Sequence, residues 1–120
     1  MAVALNHVNI RARNLEATVA FYVDAIGLTA GARPPFGFPG AWLYDGDKAV
    51  VHLVVSDAGV ESAESVVDHV AFAYDALDPA LRRLDTLGLS YTTPKFVPGT
   101  EIRQCFARDP NGVTVELQGP

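Results

Sequence analysis

The sequence predicts an α+β fold of two βαβββ modules related by pseudo-twofold symmetry, with a curved, mixed sheet forming a partly open barrel. Three observations carry this expectation. First, the 120-residue chain nearly repeats itself: Leu5-Asn6-His7-Val8 aligns with Val67-Asp68-His69-Val70 at an offset of 62, Gly27-Leu28-Thr29 with Gly88-Leu89-Ser90 at 61, and Trp42-Leu43-Tyr44-Asp45 with Phe106-Ala107-Arg108-Asp109 at 64. An internal period of this kind constrains the architecture before any single element is considered. Second, the hydrophobic pattern of each half runs strand, helix, strand, strand, strand. Third, side chains of ligand type occupy matched points, His7 with His69 and His52 with Glu116.

Taken in order, Leu5 to Ala12 alternates with β-branched residues and predicts a strand. Asn14 can cap a helix whose apolar positions Leu15, Val19, Tyr22, Val23 and Ile26 recur at helical spacing, with Gly27 closing it. A short strand is expected from Leu28 to about Arg33, then a loop rich in turn residues and aromatics, Pro34 to Gly40. Ala41 to Tyr44 and Ala49 to Val55 predict two strands joined at Asp45-Gly46-Asp47. This first module covers residues 1–56, and the small, polar, acidic stretch Ser56 to Ser65 is expected to link it to a second module over residues 65–120. There the elements recur: a strand from Val66 to Ala73, a helix from about Asp78 to Leu87 closed by Gly88, a strand around Leu89 to Thr92, and a loop from Thr93 to Gly99. A closing hairpin is expected from Ile102 to Ala107 and Val113 to Gln118 around Asp109-Pro110-Asn111-Gly112.

Side chains alternate between the faces of a strand. His7 is therefore expected to share a face with Leu5, Asn9 and Arg11, and His69 with Val67, Ala71 and Ala73. His52 goes with Val50 and Val54, Glu116 with Thr114 and Gln118. If the modules pair about a pseudo-twofold axis, equivalent positions face one another and the four side chains converge. Three imidazoles and a carboxylate are donors suited to a divalent transition metal.

Composition narrows the function classes. A hydrophobic content of 49% supports a real core in one domain. Two repeats of about 60 residues would each be marginal alone, so they are expected to pack together or against another chain, a homodimer being the favoured form. A net charge of -5 and a pI near 4.9 argue against nucleic acid, whose affinity comes largely from phosphate neutralisation. Cys105 is the only cysteine, so no intramolecular disulfide forms and it is expected as a small apolar strand residue. With no basic leader before an apolar run and no apolar stretch of membrane-spanning length, the expected setting is the cytoplasm, away from membranes.

The chain resembles the vicinal oxygen chelate superfamily, the group of glyoxalase I, methylmalonyl-CoA epimerase, fosfomycin-resistance enzymes, extradiol dioxygenases and bleomycin-binding proteins. The residues that carry the resemblance are Leu5-Asn6-His7-Val8, the helix from Asn14-Leu15-Glu16 through Phe21-Tyr22 to Gly27-Leu28, Asp68-His69-Val70-Ala71-Phe72, and Asp109-Pro110-Asn111-Gly112-Val113-Thr114-Val115-Glu116-Leu117. Arg33-Pro34 to Gly40-Ala41-Trp42-Leu43 followed by His52-Leu53 looks like a glyoxalase-like, single-domain subgroup. The resemblance implies a metal held by His7, His69 and Glu116; glyoxalase I carries a glutamate where this chain has His52. If His52 stays off the metal, two histidines and a carboxylate suit non-haem Fe(II); if it binds, a Zn, Ni, Co or Mn site becomes the expectation.

The implied activity is that of a metal-dependent lyase or isomerase. It would bind a small oxygenated substrate by chelation and stabilise an enolate or oxyanion, with Glu116 as ligand and base and His52 as the other candidate base. Arg33, Trp42, Arg103 and Gln104 are candidate substrate contacts, and Phe36 and Phe38 candidate pocket walls. Two alternatives accompany this reading: an Fe(II) extradiol-type dioxygenase using His7, His69 and Glu116, and a drug-binding resistance protein without turnover.

Overall fold

The structure, a computed structural model, describes residues 4–57 and 67–120. Most of the Ser56 to Ser65 connector and the first residue of the strand expected from Val66 lie outside them. Two compact units divide the chain, Met1–Glu61 and Ser62–Pro120. Each holds a four-stranded mixed sheet covered on one face by a helix, and neither sheet closes into a barrel.

In the first unit, β1 (Val8–Ala12) leads into α1 (Leu15–Ala20), whose N-terminus is capped by the Asn14 side chain accepting from the Ala17 amide at 2.9 Å. The expected single helix changes character midway: Phe21–Ile26 is a π-helical segment, closed where the Gly27 amide donates to the Tyr22 carbonyl five residues back at 3.1 Å. β2 (Thr29–Gly31), β3 (Gly40–Asp45) and β4 (Lys48–Val55) follow. The sheet order is β1-β4-β3-β2, with β1 and β4 parallel and the other pairs antiparallel. Ile10, Ala12, Leu43, Val51 and Leu53 are buried, as are Phe21, Tyr22, Ala25 and Ile26 of the helical segment. Alternation sends Asn9, Arg11, Trp42 and His52 to the opposite face.

The second unit repeats the plan with β5 (Val70–Ala73), α2 (Leu77–Thr86), β6 (Lys95–Phe96), β7 (Arg103–Arg108) and β8 (Thr114–Gly119) in the order β5-β8-β7-β6. Leu77, Ala80 and Leu84 of α2 are buried, as are Cys105, Ala107, Val115 and Leu117 on one face of the sheet. Cys105 is thus a fully buried strand residue, and burial pushes its thiol pKa up, with Glu116 adding and Arg103 opposing. The strand expected at Leu89 to Thr92 does not form, and β6 falls inside the expected loop. In place of that strand Thr92 bonds β7, its amide donating to the Phe106 carbonyl and its Oγ1 accepting from the Phe106 amide, both at 2.9 Å. In the closing hairpin the buried Asp109 carboxylate accepts the amides of Asn111 and Val113, each at 2.8 Å, which orders the Asp-Pro-Asn-Gly turn.

Candidate functional site

In each unit the predicted ligand positions meet on the sheet face away from the helix. In the second, Glu116 stands at the β8 position opposite Ala71 of β5 and Phe106 of β7. Its side chain is only 10% exposed, and Oε1 lies 3.3 Å from His69 Nε2. His69 sits one residue before β5, with Phe106 edge-on at 5.5 Å between ring centroids. The His69 Nδ1 is held by Asp68 Oδ2 at 2.7 Å. A carboxylate oxygen only accepts, so Nδ1 carries a hydrogen and Nε2 is the nitrogen that faces Glu116. An imidazole nitrogen and a buried carboxylate in opposition are matched by a cation between them, either a proton or a metal. Two donors each about 2.1 Å from a tetrahedral ion stand roughly 3.4 Å apart. The observed 3.3 Å fits such an ion, as does the donor chemistry.

In the first unit His7 also stands one residue before its strand, and its Nδ1 is 2.7 Å from the Oδ1 of the preceding residue, Asn6. With Nδ1 donating to that oxygen, Nε2 is the nitrogen left to act as a ligand, as in His69. The shared arrangement is a feature that residue types alone did not announce. Its trace is that Asn6-His7 and Asp68-His69 occupy the same place in the repeat.

His52 differs. It stands opposite Asn9 of β1 and Trp42 of β3, in the middle of a column of rings: His7 stacks on it at 3.7 Å with planes 10° apart, and Trp42 at 4.0 Å with planes 13° apart. Its Nε2 bonds the Ala49 carbonyl at 3.1 Å, which makes Nε2 the protonated nitrogen and leaves the Nδ1 lone pair. Burial pushes its pKa below the ordinary histidine value, with His7 adding to the shift and the Ala49 bond opposing it. The lone pair of an imidazole nitrogen lies in the plane of its ring, and the His7 and His52 planes lie face to face. In this arrangement the two stacked rings do not aim their lone pairs at one point. Among the described residues, no three His, Cys, Asp or Glu side chains are arranged as a group that could hold a metal ion.

The candidate substrate residues divide as well. Arg33 and Trp42 line a cavity of about 120 Å³ together with Asn9, Phe36, Phe38 and His52. Gln104 shares the Glu116 face, opposite Gln118. Arg103 points to the helix side, where Nη2 pairs with Asp78 Oδ1 at 2.9 Å and donates to the Pro120 carbonyl at 3.2 Å, so it serves to tie β7 to the start of α2 and the chain end.

A family model described as the glyoxalase/bleomycin resistance protein/dioxygenase superfamily matches residues 4–117. The chain is 25% identical over 121 residues to Glyoxylase I 4 of Arabidopsis thaliana, covering 95% of this chain and 69% of that protein. Its fold is similar to that of a glyoxalase family protein from Bacillus anthracis, with a TM-score of 0.79 and 20% identity, covering 99% of this chain and 96% of the other. It is also similar to the fosfomycin resistance protein FosX from Listeria monocytogenes, with a TM-score of 0.78 and 17% identity, over 100% and 95% of the two chains.

Proposed function

The chain belongs to the glyoxalase/bleomycin resistance protein/dioxygenase superfamily, and from that membership we propose a metal-dependent enzyme of the glyoxalase type, a lyase or isomerase acting on a small oxygenated substrate. The proposed ligands are His7, His69 and Glu116. The observation that carries the proposal is the buried Glu116 carboxylate facing Nε2 of His69 at 3.3 Å, the ring being held by Asp68.

A divalent metal there would act as a Lewis acid toward a substrate carbonyl. The chain's own residues supply the rest. Asn6 and Asp68 fix the tautomer and orientation of the two histidines. His52 is the proposed base: neutral near physiological pH, it keeps its Nδ1 lone pair to receive a proton, while the His7 and Trp42 rings hold its plane. The working form proposed is a cytoplasmic homodimer.

Metal analysis of protein purified without added metal tests the proposal. Bound Zn, Ni, Mn or Co at near-stoichiometric level, lost in His7→Ala and Glu116→Ala but kept in His52→Ala, is the expected result. Iron with oxygen consumption would turn the reading toward the dioxygenase, which would use the same two histidines and carboxylate. No metal as purified and none taken up on supply would overturn it and leave a binding protein.

A further inference from the structure

Arg33 stands in a setting that its partners in the fold do not complete. Its Cζ lies 5.0 Å and 4.9 Å from the ring centroids of Phe36 and Phe38, which are themselves stacked at 5.4 Å. Phe36 tilts against Trp42 at 6.1 Å. Behind the guanidinium is Gly40, where a Cβ would come within 2.8 Å of Nη2. Nη2 itself is buried and has no hydrogen-bond partner. A buried charged donor left unpaired is costly, and native structures keep such groups where a ligand or ion completes them.

The cavity beside Arg33 offers no countercharge, for none of its lining residues is acidic. Phe36, Phe38, Trp42 and His52 line it with Asn9, Leu53 and Val54, and Phe36 and Phe38 remain 48% and 49% exposed. The chain as a whole is negative, at -5, so attraction of an anion here is a local property of Arg33. A cavity of about 120 Å³ is smaller than the ~300–1,000 Å³ of drug-sized sites and close to one that takes a single aromatic ring.

We propose that this cavity binds a small, flat organic carboxylate, its anionic group on Arg33 Nη2 and its body against Phe36, Phe38 and Trp42. The planar guanidinium matches a carboxylate, and flat apolar walls match a ring or conjugated chain. Because His52 lines the same cavity, this ligand class is also assigned to the substrate, a step that rests on the proposed function; the binding itself does not.

Trp42 is the only tryptophan, so its fluorescence reports occupancy directly. Benzoate is titrated into the protein as purified and again after chelator treatment, with benzamide as the uncharged isostere. The expected result is a saturable change with benzoate in about the millimolar range. Benzamide should bind at least about tenfold more weakly, and Arg33→Met should weaken benzoate by a similar factor with the far-ultraviolet circular dichroism unchanged. If Arg33→Met does not fold, the benzoate-to-benzamide ratio of the unmodified protein decides alone. Equal affinity for the two probes, a folded Arg33→Met that binds benzoate undiminished, or no saturable response overturns the proposal. So does a benzoate response that disappears with the chelator, since the anion would then be sitting on a metal. Benzoate binding in a protein that takes up no metal would leave this site standing and remove the metal reading.

Discussion

Asn6 and Asp68 hold their histidines with the same geometry and different charge, each oxygen 2.7 Å from a ring Nδ1. A carboxylate raises the basicity of the imidazole it holds more than an amide does, so the clamp on His69 should matter more for metal affinity. Asp68→Ala is expected to lower affinity by about 10–100-fold, Asp68→Asn to fall between that variant and the unmodified protein, and Asn6→Ala to cost less than Asp68→Ala. Competition against a chromophoric chelator measures all three. Affinity unchanged in Asp68→Ala would mean that the clamp has no role. The histidines and Glu116 were legible as ligand-type residues from the repeat, because their chemistry is distinctive. Their clamps were not, since a side chain reaching back to the preceding residue depends on backbone angles at a strand entrance, which carry no residue-type signal of their own.

At the scale of elements, the strands and helices with strong periodicity emerged, but β1 and β5 start later than the sequence puts them, so that His7 and His69 precede their strands, and the other departures have physical causes. Over the six residues of Phe21–Ile26, apolar spacing does not separate a π-helical turn from an α-helical one. β6 has two residues beside Pro94 and exists through its pairing with Arg103 and Gln104, a long-range contact that local pattern cannot report. Gly40 shows how closely the elements meet: on β3, a Cβ would stand 2.4 Å from the Leu53 carbonyl oxygen of β4, and backbone cannot yield as a side-chain tip can. Gly46, in the β3–β4 turn with φ of 60°, has nothing within 4 Å, so Gly46→Ala incurs backbone strain alone. Gly46→Ala is expected to cost about 1 kcal/mol and Gly40→Ala about 2–3 kcal/mol, as read by urea denaturation. A Gly40→Ala protein no less stable than Gly46→Ala would contradict the close approach.

Across the whole molecule, duplication was the feature most open to reading, since it is written in positions: His52, Trp42 and Asn9 stand in the first unit as Glu116, Phe106 and Ala71 stand in the second. The stability of the folded chain against alkali is not written that way, because it depends on which phenol the fold buries. Tyr74 follows β5, and its amide donates to the Gln118 carbonyl at 2.8 Å. Burial pushes its phenol up to about 12, with Cys105 adding and Arg83, whose Cζ is 5.9 Å from the ring, opposing. An unfolded chain gives up this proton near pH 10, whereas the folded one holds it until about 12. The unfolded state therefore binds fewer protons in that window, and the contribution to stability, whole below pH 10, is lost as pH rises from there through about 12. Allowing for solvent screening of a partly buried ring, the loss attributable to Tyr74 is about 1–2 kcal/mol. Tyr74→Phe keeps the ring and removes the titration, while Cys105 and Tyr91, whose pKa values are also raised, remain in both proteins. Urea denaturation at about pH 8 and about pH 11 should show a smaller alkaline loss in Tyr74→Phe than in the unmodified protein. Losses of equal size would show that Tyr74 ionises alike in the folded and unfolded states.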